Sequence, residues 1–131
     1  MLRALKPDDY LPLVKAALAE DIGSGDATTL ALVPGDSVAT AVMVAREPLV
    51  MAGVDLALAA FEQVDERVEF GIEIFDGQLG GLGQALLRVK GPTHALLTAE
   101  RTALNFVQRL ASVATLTAQF VEQVADTGAK I

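Results

Sequence analysis

The run from about Thr93 to Asp126 constrains this chain more than any other feature. Its apolar residues recur at helical spacing and Gly128 marks its end, so the fold must accommodate a long helical layer. A break near Ala111-Ser112 is expected to divide the run into two helices. At about 100° per residue, Thr98, Thr102, Asn105 and Arg109 line one polar stripe, while Leu96, Leu97, Ala103, Leu104, Val107 and Leu110 form the apolar side. Arg101 and Glu100 fall on that apolar side. An arginine between Leu97 and Leu104 admits two explanations. Either the guanidinium snorkels along the leucines to bond Gln108 or a chain end, or the apolar side is an interface and Arg101 reaches out of it to hold a planar anion by two parallel N–H bonds.

The rest of the chain supplies a small sheet. Residues 8–21 form a first helix, with Asp8 or Asp9 capping its start, Leu11, Val14 and Leu18 at helical spacing, and Gly23 at its stop. EDIGSGDATT follows as a loop whose Asp26 and threonines bond nearby backbone N–H groups. VATAVMVA is rich in β-branched residues and Pro48 interrupts it, so Val38 to Met51 is two short strands or one bent one. GVDLALAAFEQ returns to helical spacing through Val54, Leu58 and Phe61. VEFGIEIF alternates as a half-buried strand, Asp76-Gly77 is a turn, and QALLRVKG is the antiparallel partner. The expected class is α+β: a small antiparallel sheet in an α/β, barrel-sandwich-like arrangement, with a crossing helix, an N-terminal helix and a C-terminal helix pair. The core is expected at about 22–92 and the C-terminal helices at about 93–126.

Composition removes several function classes. At 131 residues the chain is one domain's worth, and 52% hydrophobic residues exclude disorder. A net charge of -7 with Lys and Arg scattered singly opposes nucleic acid and anionic membranes. No segment has the unbroken apolar run of a membrane span or secretory signal, and the expected compartment is the cytoplasm. Cysteine is absent and His94 is the only histidine, which leaves no thiol nucleophile, thiolate metal site or histidine pair. GQLGGLGQALL lacks the third glycine and following helix of a dinucleotide fingerprint, so its glycines belong to hairpins and bulges. DIGSGD lacks the ligand spacing and terminal glutamate of a calcium loop. Lys90 lies at a strand end, unlike the hairpin-tip lysine that carries lipoyl or biotinyl groups.

Four stretches together carry a family resemblance: AEDIGSGDATT, VAREPLVMAGVDLALAAF, the DG turn with its later glycines, and LLTAERTALNFVQRLASVATLTAQFV. The chain resembles the N-terminal domain of quinolinate phosphoribosyltransferase, also called nicotinate-nucleotide pyrophosphorylase (carboxylating). The resemblance implies an enzyme that converts quinolinate and phosphoribosyl pyrophosphate, with Mg²⁺, into nicotinate mononucleotide, pyrophosphate and carbon dioxide in de novo NAD synthesis. It implies a homodimer or higher homo-oligomer in which this domain packs on the partner's α/β barrel, and Arg101 reaches the partner's site to bind a quinolinate carboxylate. Glu100 is then assigned to positioning Arg101 or the helix, and Asn105 to a structural bond. The family continues past GAKI into a barrel that opens with a D-T-R-K-T-like strand and holds the diphosphate and metal groups. These 131 residues contain no catalytic or metal-binding residue of that barrel and are expected to be inactive alone. Two other readings stay open: a molybdenum-transport-type phosphoribosyltransferase-like protein, and a stand-alone interaction domain without chemistry.

Overall fold

The computed structural model describes residues 4–23 and 34–128. The loop expected over EDIGSGDATT lies, from residue 24 onward, outside the described residues. The elements run α1 (Pro7–Gly23), β1 (Val38–Val44), β2 (Leu49–Val50), α2 (Val54–Val64), β3 (Glu69–Ile72), β4 (Leu79–Gly80), β5 (Ala85–Pro92) and α3 (Thr93–Val124). The α+β class is as expected, with the antiparallel strands divided between two sheets: β1-β5-β3, and a short β2-β4 pair.

Each element follows from local chemistry. Pro7 opens α1, where a missing N–H costs nothing, and Asp9 reaches back to accept the Lys6 N–H at 2.8 Å. Of the two candidate acids, Asp9 is therefore the one that caps this end. Strand β1 pairs along its length with β5, Thr40 lying opposite Lys90 and Val42 opposite Arg88, with a bulge between Met43 and Val44. VEFGIEIF is shorter as a strand than its alternation implies. The Glu73 and Ile74 N–H groups both donate to the Leu86 carbonyl, at 3.0 and 3.2 Å, and this doubled bond ends the one-to-one ladder at Ile72.

The inner face of the three-stranded sheet presents Leu87 and Val89 of β5 and half-buried Phe70 of β3, whose ring lies 6.5 Å from that of Phe61 on α2. The outer face carries Thr40, Arg88, Lys90 and Glu69. Helices α2 and α3 pack against each other, and α1 touches both. Core side chains also come from outside the expected 22–92 segment: Val14 and Leu18 of α1, and Leu96 and Val107 of α3.

The helix–helix seam is built of small residues. Ala57 and Ala60 of α2, and Ala95, Ala99 and Ala103 of α3, are all fully buried, which lets the two axes approach closely. Gly53, at φ 95°, sits at the start of α2. A Cβ there would stand 3.0 Å from Leu110 Cδ1 and 3.4 Å from the Phe106 carbonyl, so the left-handed turn and the close approach to α3 both require glycine. The first α2 amide, that of Val54, donates to Asp76 Oδ1 at 3.1 Å, so the Asp-Gly turn caps the neighbouring helix.

The expected helix pair is a single helix. Thr93–Val124 runs 32 residues without interruption. The hydroxyls that mark Ser112 and its surroundings as a break bond back along the helix instead: Ser112 Oγ to the Gln108 carbonyl at 2.6 Å, and Thr115 Oγ1 to the Ala111 carbonyl at 2.6 Å. Such back-bonding lets Ser and Thr stay within a helix. Thr115 Oγ1 also accepts the Val50 N–H at 2.9 Å, tying β2 to the middle of α3.

Candidate functional site

Helix α3 decides where Arg101 points. Its buried residues are Ala95, Leu96, Ala99, Thr102, Ala103, Val107 and Ala111, a stripe centred near Ala99 and Ala103. At about 100° per residue, Arg101 lies roughly opposite that stripe. Arg101 is exposed, Leu97 is 41% exposed and Leu104 half-buried. Arg101 therefore stands on the outward face of α3 and not within the side packed on its own domain. The stripe expected from the leucines was rotated because the buried seam is made of alanines, which hydropathy weights lightly. Thr102, expected on a polar stripe, is 1% exposed and belongs to the core.

On the outward face Leu97, Glu100, Arg101, Leu104, Asn105 and Gln108 line an open depression of ≈ 370 Å³. Among the described residues, no hydrogen bond or ion pair involves the side chain of Arg101, Asn105 or Gln108. The bond from Arg101 to Gln108, one of the two partners considered for a snorkelling guanidinium, is therefore not formed. Nor does Asn105 make the structural bond expected of it. Glu100 is exposed on the same face and makes no direct bond to Arg101. The depression combines a guanidinium with five N–H donors, the Glu100 carboxylate, two carboxamides and two leucine side chains. Chemically this suits a small, flat anion, held by its charge through Arg101 and by its ring between the leucines.

One residue away, on the buried side, Thr102 Oγ1 donates to Asp21 Oδ2 at 2.5 Å. This bond joins α3 to the last turn of α1. Sequence reading missed it, because Thr102 and Asp21 are 81 positions apart and nothing in either local pattern points to the other. His94 is half-buried at the start of α3, where Ser37 and Thr93 bond through their hydroxyls at 2.8 Å. Among the described residues, no cluster of three or more His, Cys, Asp or Glu side chains is arranged to hold a metal ion. No helix among them is long and apolar enough to cross a membrane.

Residues 26–111 match the family model described as quinolinate phosphoribosyl transferase, N-terminal domain. The chain belongs to this family. Across its whole length it is 45% identical to the nicotinate-nucleotide pyrophosphorylase [carboxylating] of Mycobacterium leprae, of which it spans 47%. It is 40% identical over 83% of its length to the chloroplastic enzyme of that name from Arabidopsis thaliana, spanning 32% of it. The fold agrees. NadC from Streptococcus pyogenes superposes with a TM-score of 0.89 at 34% identity, covering 95% of this chain and 44% of that one. The nicotinate-nucleotide pyrophosphorylase from Francisella tularensis gives 0.86 at 34% identity, covering 93% and 44%. The chain thus spans less than half the length of these relatives, and it corresponds to the N-terminal domain of the family fold.

Proposed function

We propose that this domain serves a quinolinate phosphoribosyltransferase as its substrate-clamping half, with Arg101 binding a quinolinate carboxylate in the active site of a partner subunit. One observation carries the reading: the Arg101 guanidinium is bonded to no described residue and is presented outward between Leu97 and Leu104, opposite the face that holds the domain together. A side chain so placed can act on something outside its own domain. The reaction is phosphoribosyl transfer from phosphoribosyl pyrophosphate to quinolinate, with loss of carbon dioxide, in NAD biosynthesis.

The residue type suits that chemistry. Quinolinate is a dianion whose ring nitrogen attacks an anomeric carbon that becomes cationic in the transition state. The clamp must hold the carboxylates without transferring a proton. A guanidinium stays protonated throughout and offers two parallel N–H bonds, whereas an imidazole could titrate. Glu100, on the rim of the same depression, is the acid placed to orient the guanidinium when the partner closes over it. Mg²⁺ and the diphosphate fall to groups outside this domain. The assembly is a homodimer or a larger homo-oligomer in the cytoplasm.

Arg101→Gln tests the reading in the full-length protein that carries this domain. It removes a charge-assisted bidentate contact, and we expect a loss of about 2–4 kcal/mol in kcat/KM for quinolinate. Arg101→Lys keeps the charge without the fork and is expected to recover only part of that loss. Unchanged kcat/KM in the Gln variant would remove Arg101 from the site. The isolated 131-residue chain is expected to form no nicotinate mononucleotide in a coupled assay.

A further inference from the structure

Arg101 does not stand alone on its face. Asn105 lies one helical turn further along, so the two Cβ atoms are about 5–6 Å apart and the side chains can converge on one ligand. Asn105 is exposed, lines the same depression, and has no side-chain hydrogen bond to any described residue. Ser112 and Thr115 on this same helix spend their hydroxyls on backbone carbonyls, whereas the Asn105 carboxamide is left for a ligand on the outward face.

We propose that Asn105 is a specificity-determining residue of the site, donating its carboxamide N–H to a second carboxylate of an aromatic acid whose first carboxylate is held by Arg101. The inference rests on the reading of Arg101 as a carboxylate clamp. Bidentate binding of one carboxylate takes two of the five guanidinium N–H donors and fixes how the ring is oriented. A second carboxylate on the neighbouring ring carbon then lies alongside the first, toward the next helical turn, where Asn105 stands. The ring itself fits between Leu97 and Leu104 in a depression of ≈ 370 Å³, far more room than a lone carboxylate needs. A neutral amide is suited to discrimination. Once a partner covers this face, an acid with only one carboxylate leaves the amide desolvated and unpaired, which is the arrangement that rejects an analogue lacking a polar group.

The test uses the full-length protein that carries this domain, with Asn105→Leu as a near-isosteric variant at an exposed helical position and Asn105→Gln to restore a carboxamide. Asn105→Leu is expected to raise KM for pyridine-2,3-dicarboxylate about tenfold, the equivalent of one hydrogen bond to a charged group, with kcat within about twofold. Competitive inhibition by pyridine-3-carboxylate is expected to stay within about twofold, so that the preference for two carboxylates collapses. Asn105→Gln is expected to recover part of the preference. An unchanged KM in Asn105→Leu, or an equal loss for both acids, overturns the proposal. Arg101→Gln separates the two failures. If it weakens binding while Asn105→Leu does not, only the role of Asn105 falls; if neither does, the clamp itself is wrong.

Discussion

At the scale of single residues, adjacent positions on α3 have opposite duties. Arg101 faces out into an open depression, and Thr102, next in the chain, is buried and bonded to Asp21. The hydroxyl gives α3 a fixed attachment to the last turn of α1, and its acceptor is a carboxylate, the stronger kind of partner. Thr102→Val keeps the shape and removes the donor. We expect it to lower stability by about 1–3 kcal/mol, read as a shift in the urea midpoint without a change in slope. An unshifted midpoint would show that other contacts hold the end of α1. The same substitution tests whether Arg101 depends on its neighbour: the outward face should keep its binding properties wherever the protein remains folded.

At the scale of elements, the turn between α2 and β3 is set by one acid. Asp65 accepts three bonds from Arg67: from the backbone N–H at 2.9 Å, from Nε at 3.0 Å and from Nη2 at 2.7 Å. These hydrogen bonds to Arg67, side chain first and backbone second, pull the Asp65 carboxyl down from 3.8 to about 2. The folded state therefore binds this proton more weakly than the unfolded chain. Its contribution to stability is complete above pH 3.8 and is lost as pH falls toward about 2. Asp65→Asn should be less stable than the parent at pH 6, and the gap should close on acidification through that window, followed by chemical denaturation at each pH. A gap of constant size down to pH 2 would mean that the turn does not use the charge. Helix α3 makes a related point. Its Thr98, Ser112 and Thr115 hydroxyls bond carbonyls four residues back, and Thr115 also holds β2, so the residues that resemble a break are attachment points on a continuous rod.

At the scale of the whole molecule, α3 outruns the domain that holds it. Its buried stripe stops at Ala111, yet apolar residues continue, with Val113 64%, Leu116 55%, Phe120 49% and Val121 49% exposed. Val107 is only 3% exposed, so the uncovered apolar surface of this helix lies mainly beyond it. Apolar side chains gathered on one helix in this way drive association. The 131-residue chain alone is expected to self-associate in sedimentation. Leu116→Glu with Phe120→Glu should shift it to monomer without loss of helix content. A parent chain that sediments as a clean monomer would contradict this.

Much of this protein was set by local sequence. The order of helices and main strands, the Asp-Gly turn, an acidic cap at Asp8 or Asp9 and the antiparallel pairing of VEFGI with ALLRVK all follow from periodicity and turn chemistry, which act over a few residues. Arg101 was singled out the same way, as a charge among leucines, and the motif around it led to the family. What its neighbours do was not legible, because that depends on which face of α3 is buried. The leucines pointed to one face; the alanines that meet α2 selected another, since close approach of two helices favours small side chains over hydrophobic weight. The Thr102–Asp21 bond and the Asp76 cap on α2 join residues 81 and 22 positions apart. Only the tertiary structure decides such pairs, because nothing in either local segment requires the other until packing brings them together.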